Sequence, residues 1–147
     1  AAEATAVPAA ADDPRHVGLR INPAVEDSKI ATTSVGGLSS RFGVRLSDER
    51  DVILQAFERY RWLNGVHVHV GSQGVAIEQL VDAAVRILDL VEEIERRCGA
   101  GRIQRIDLGG GLPVAYRDSE HAVSIDAYVA ALRERAPALL DAPRWTL

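Results

Sequence analysis

Residues 65–73 read Gly-Val-His-Val-His-Val-Gly-Ser-Gln. Val66, Val68 and Val70 alternate with His67 and His69, and a period of two in β-branched residues predicts a strand. Residues i and i+2 of a strand share a face, so the two imidazoles point the same way. Gly71, Ser72 and Gln73 end the run. Two readings compete: a half-buried strand with hydrogen-bonded core histidines, or a site at the strand's C-terminal end. Two histidines followed by a small hydroxyl favour the site.

The flanking sequence supplies helices. Upstream, Ser47 is the expected N-cap of a helix to about Trp62, with Asp48 and Glu49 suited to the helix dipole. Its expected buried side holds Val52, Leu54 or Gln55, Ala56, Phe57 and Tyr60. Downstream, Ile77, Leu80, Ala84, Ile87, Val91, Ile94 and Cys98 form an apolar stripe at helical spacing. Glu92, Glu93, Glu95, Arg96 and Arg97 make its solvated side, and Gly99 suits the position after the last turn. Cys98 lies on the stripe and reads as a small buried apolar residue.

Further out, Val17–Ile21 and Ile103–Leu108 read as strands. Residues 24–43 read as a long polar loop. Ser124 is the expected cap of a last helix with Ile125, Tyr128, Val129, Leu132, Ala136 and Leu139 on its inner face. Arg144–Leu147 reads as the start of a fourth strand. Strand–helix alternation implies a parallel sheet. Apolar, β-branched strands suit a sheet covered on both faces. Residues 1–16, rich in Ala, Asp, Glu and Pro, read as a linker or the end of a preceding element. The expected architecture is α/β, a partial (β/α)8 barrel of about three and a half parallel β/α units over residues 17–147. A lead-in without pattern and a stop inside a strand make it a slice of something larger.

Composition excludes several classes. An apolar fraction of 47% and a charged fraction of 26% are those of a globular domain. Net charge is −4, without a basic stripe interleaved with aromatics, so no nucleic-acid partner is expected. No apolar run approaches the ~20 residues of a membrane span, and no signal-peptide pattern opens the chain, so a cytoplasmic location is expected. Cys98 is alone, which rules out an internal disulfide and a cysteine-rich zinc site. Lys29 is the single lysine among sixteen arginines.

In parallel α/β proteins, ligands gather at the C-terminal ends of strands. Arg20, His69, Ser72 and Gly109-Gly110-Gly111 all fall there. Consecutive glycines let backbone N–H groups approach a phosphate, although a flexible turn would look the same. Leu112-Pro113 breaks the dinucleotide-binding spacing, and no Gly-Lys-Ser/Thr exists for a P-loop. His67 and His69 are also spaced as a zinc pair, with Asp107 the nearby carboxylate near a strand end. Ser72, His69 and Asp107 could be drawn as a triad, but the nucleophile elbow is absent.

GLRINP (residues 18–23), DSK (27–29), SSRFGV (39–44), GVHVHVGSQ (65–73) and IDLGGGLPV (106–114), in that order, resemble the pyridoxal-phosphate-dependent ornithine/diaminopimelate/arginine decarboxylases. The resemblance covers Val17 to Leu147. It implies an alanine-racemase-like barrel, pyridoxal 5′-phosphate as cofactor, a basic amino-acid substrate and a homodimeric parent. It places His69 against the pyridine ring and gives the cofactor phosphate to Ser72, Gly109, Gly110 and Gly111. Arg20 falls in the cofactor pocket near the acid that pairs with the pyridine nitrogen, and His67 becomes a supporting core residue. Arg41 replaces a common lysine.

The resemblance also implies what this stretch does not carry. The Schiff-base lysine belongs to an earlier strand, and Lys29 matches a loop lysine instead. The Glu-x-Gly-Arg segment and the β-rich second domain belong further on. The expectation is a fragment that holds part of the cofactor pocket, no catalytic residue and no metal ligand, inactive and poorly folded alone. His67 and Gln73 suit the diaminopimelate or arginine branch, whereas Asp27-Ser28-Lys29 suits the ornithine branch. The alternatives are a non-catalytic cofactor-binding or regulatory relative on the same barrel, and a zinc hydrolase using His67 and His69.

Overall fold

In the computed structural model, described for residues 17–25, 40–72, 75–112, 115, 124–140 and 144–147, a parallel sheet carries helices on one face. The elements are β1 (Val17–Asn22), β2 (Val44–Arg45), α1 (Leu46–Arg59), β3 (Leu63–Val68), α2 (Ile77–Cys98), β4 (Arg105–Asp107) and α3 (Ile125–Arg135), then a short 3-10 turn, Pro137–Leu139. Strand order is β2-β1-β3-β4, and every pairing is parallel. Thr146 adds a parallel bridge to Arg105, so the expected fourth strand touches the sheet at that edge. β1, β3, β4 and this bridge lie side by side in chain order, as successive staves of a barrel wall do. Residues 1–16, and with them the expected linker, lie outside the described residues, as do Lys29 and Gln73.

β2 was not expected from the sequence. Two residues are too short for a periodic signal. They pair with Ile21 and Asn22, because Gly43 at φ +79 turns the chain against β1. A Cβ at Gly43 would press on the backbone of residues 20–22.

The core lies between sheet and helices. Ile21, Val66, Val68 and Ile106 face Ile53, Leu54 and Phe57 of α1 and Ile87, Leu90, Val91 and Ile94 of α2, all almost fully buried. Each such side chain contributes about 1.5–3 kcal/mol of burial. Only one face of the sheet is apolar. Strand parity puts Gly18, Arg20, Gly65, His67, Arg105 and Asp107 on the other, so the strands are apolar on one face where they were expected to be apolar on both.

The helices match with local corrections. The N-cap of α1 is Arg45 rather than Ser47, and its N–H donates to Glu49 Oε2 at 3.1 Å. The Ser47 hydroxyl is used by Asp48, 2.6 Å away, so it caps nothing. Glu49 has non-helical torsions, and this kink rotates the face: Ile53 is buried while Val52 is 61% exposed. The helix stops at Arg59, because Arg102 draws the carbonyls of Phe57, Tyr60 and Arg61 onto one guanidinium.

α2 keeps the expected bounds and ends at Gly99 with φ 101. Its buried face is wider than the expected stripe, taking in Val81, Ala83, Leu88 and Leu90 because α3 packs on its flank. Cys98 is half-buried against the core. Glu95, expected in solvent, is 5% exposed, accepting from Arg144 Nη2 at 2.6 Å and from the Gly101 amide at 3.2 Å. In α3, Ser124 Oγ accepts from the Ala127 amide at 3.1 Å, as a cap should. Leu132, Ala136 and Leu139 are buried, whereas Ile125 in the first turn is exposed.

Candidate functional site

The polar face of the sheet is built in rows. Parallel register sets Arg20 beside His67 and His67 beside Asp107. Above that row, past the ends of β3 and β4, come His69, Gly71, Ser72 and Gly109–Gly111. Register, not sequence proximity, brings together residues from positions 20, 67–72 and 107–111.

Two of the glycines are sterically required. Gly109 has φ +70, and a Cβ there would overlap the carbonyl oxygen of Val68 and crowd the His69 ring. Gly111 has φ +113, and a Cβ there would overlap the carbonyl oxygen of Gly71. The loop therefore presses directly on the end of β3. Gly110 faces open space.

His69 is held by its edges. The Gly110 amide donates to Nδ1 at 3.3 Å, and Nε2 lies 3.3 Å from Ser72 Oγ. A nitrogen that accepts an N–H carries no proton, so Nε2 bears the hydrogen and donates to the serine. Partial burial, then the charges of Arg20 and His67, hold the imidazole below its ordinary pKa against the opposing pull of Asp107. His69 is thus neutral near pH 7, with both nitrogens engaged and its ring faces left for contact.

This tautomer is the wrong one for a triad. A general base toward Ser72 would need a bare Nε2 and a proton on Nδ1 facing a carboxylate. Asp107 faces His67 instead: Oδ2 is 3.0 Å from His67 Nδ1, without the alignment of a hydrogen bond. Its Oδ1 accepts the Gly109 amide at 2.7 Å. Among the described residues, no three His, Cys, Asp or Glu side chains gather as metal ligands.

Arg20 stands one row below His69, its guanidinium 5.1 Å from the centre of the Phe42 ring. His67, expected in the core, is half-exposed on the polar face. Sequence reasoning missed two parts of the site. Asp107 was weighed as a metal or triad acid rather than as the anchor of the glycine loop; an acid two residues before a glycine run can close such a local turn. Phe42 gave no signal, because its ring meets Arg20 only where β2 pairs with β1.

A phosphate-bearing planar cofactor suits these residues. The Ser72 hydroxyl and the open backbone at Gly110 can meet anionic oxygens, and a neutral imidazole with free faces meets a ring. Among the described residues no helix is long and apolar enough to cross a membrane.

Known proteins carry the same pattern. The family described as pyridoxal-dependent decarboxylase, pyridoxal binding domain, matches residues 2–144. The diaminopimelate decarboxylases of Pseudomonas fluorescens and Pseudomonas aeruginosa are each 38% identical over 120 residues, 81% of this chain and 28% of theirs. The chain thus spans under a third of the length of these relatives. Among solved structures, diaminopimelate decarboxylase from Helicobacter pylori complexed with L-lysine superposes with a TM-score of 0.70 at 23% identity, over 89% of this chain and 32% of that one. Another diaminopimelate decarboxylase gives a TM-score of 0.64 at 29% identity, over 89% of this chain and 30% of that one.

Proposed function

The chain belongs to the pyridoxal-dependent decarboxylases, as part of their pyridoxal-binding barrel domain, and from that premise we propose that it forms one wall of the cofactor pocket of a diaminopimelate decarboxylase. The observation that carries this reading is the edge-on capture of His69. With Nδ1 and Nε2 committed to Gly110 and Ser72, the imidazole offers a flat face and nothing else. A ring stacked on that face is fixed in orientation. Gly109–Gly111 and Ser72 lie where they would take the phosphate of the same molecule, and Arg20 adds positive charge one row below.

When bound, pyridoxal phosphate supplies an electron sink for the carbanion left by loss of CO₂. This chain's residues bind and orient; they do not exchange protons with substrate. His69, neutral and edge-bound, holds the ring plane. Ser72 and the glycine loop hold the phosphate. Diaminopimelate is the substrate we favour over arginine and ornithine, on the 38% identity to the two Pseudomonas enzymes. The covalent lysine and the acid facing the pyridine nitrogen would come from other parts of the enzyme, and the chain alone would not decarboxylate.

Titration with pyridoxal phosphate, followed by absorption and by competition with inorganic phosphate, tests this. Saturable, phosphate-competed binding is expected. A strong lysine-linked absorption band that vanishes in Lys29→Ala would refute the claim that the covalent lysine lies elsewhere. For substrate, CO₂ release by the full-length enzyme should favour diaminopimelate over arginine and ornithine.

A further inference from the structure

The contacts between β3 and the glycine loop are made at two points, two residues apart on one strand. His69 receives the Gly110 amide. One row below, His67 meets Asp107, and Asp107 in turn receives the Gly109 amide. The two carboxylate oxygens of Asp107 are thus committed in opposite directions, Oδ2 toward β3 and Oδ1 toward the loop. His67, Asp107, Gly109, Gly110 and His69 close a ring of contacts that returns to the strand it started from.

We propose that His67 and Asp107 are a positioning pair, which fixes the orientation of the glycine loop toward the cofactor phosphate. The proposal rests on the cofactor reading given above. The side chains are 32% and 58% exposed, and polar contacts so open to solvent contribute little to global stability. The effect of this one is local. His67 Nδ1, 3.0 Å from Oδ2, is the polar neighbour that favours one rotamer of the Asp107 carboxylate. That carboxylate makes a short, charge-assisted bond to Gly109, where φ is +70. The torsions at Gly109 then decide where the Gly110 N–H points. Without His67, the carboxylate is free to turn, the Gly109 amide loses its acceptor, and an unpaired negative charge stands beside the phosphate site.

The test uses the full-length enzyme that contains these residues, with three substitutions. His67→Phe keeps a ring but removes the polar nitrogen beside Asp107. His67→Asn keeps a polar group where Nδ1 stands. Asp107→Ala removes the acceptor. Two quantities are read: the amide NMR resonances of Gly109 and Gly110 without ligand, and the affinities for pyridoxal phosphate, inorganic phosphate and phosphate-free pyridoxal. His67→Phe and Asp107→Ala are expected to move both amide resonances. They should weaken pyridoxal phosphate and inorganic phosphate about tenfold, with pyridoxal unchanged. His67→Asn should stay within about threefold of the parent.

Unmoved Gly109 and Gly110 resonances in His67→Phe would overturn the pair, whatever the ligands do. So would equal losses for pyridoxal and pyridoxal phosphate, or a His67→Asn variant as weak as His67→Phe. If the parent enzyme binds neither phosphate-bearing ligand, the cofactor reading fails instead, and the resonances still decide whether the pair holds the loop.

Discussion

The two faces of the sheet are made by alternate residues of the same strands, yet they obey different rules. On the helix side, Val66, Val68 and Ile106 are packed against Phe57, Ile87 and Ile94 with almost no exposure. On the other side, His67, Asp107 and Arg20 are partly or largely open and are arranged by register and by single polar contacts. The first face resists change through volume. The second resists it through direction: which nitrogen accepts, which amide points where. One strand, β3, supplies both, so a shift of one residue in its register would exchange core for site.

The separation can be broken hardest from the packed side. Phe57→Ala should cost about 3–5 kcal/mol in denaturant unfolding and take the site down with the fold. If cofactor affinity outlived that loss, the two faces would be more independent than their shared strand allows. On the open side, Gly111→Ala puts a Cβ into the Gly71 carbonyl. Pyridoxal phosphate affinity should fall about tenfold or more while helical circular dichroism is kept. A parallel loss of helix would show that the loop is part of the core.

Acidification is a gentler probe. The His69 pKa is depressed in the folded chain by burial and by the charges of Arg20 and His67, so its contribution is present above the ordinary value of about 6.5 and is lost as pH falls below that value. Protonation puts a hydrogen on Nδ1 and expels the Gly110 amide. Cofactor affinity should therefore decline as pH falls below about 6.5 in the parent chain and much less in His69→Gln. The smallest effect belongs to Val52→Ser, on an apolar residue 61% exposed, which should change stability by no more than about 0.5 kcal/mol.

Legibility in the sequence followed the same division. The period of α2, the cap at Ser124 and the alternation in β3 are local signals, and they held. The buried face of α1 was misplaced because a kink at Glu49 is set by the Arg45 amide reaching back to its carboxylate. Glu95 looked solvated because nothing near it announces Arg144, 49 residues away. His67 looked like core because its carboxylate partner comes from another strand. In the site, residue types were readable from the strand ends, whereas the tautomer of His69 and the two-way use of Asp107 exist only once β3 and β4 are in register.

The glycine loop also has a meaning at the level of the gene. Any single-base change of a glycine codon that alters the residue without creating a stop adds a side chain. At codons 109 and 111 every such side chain starts inside a backbone carbonyl, whereas at codon 110 it starts in empty space. Three neighbouring, chemically identical codons should therefore carry unequal mutational loads. A survey of tolerated alleles would read closed, open, closed across them, recording in nucleotide variation how tightly one loop leans on one strand.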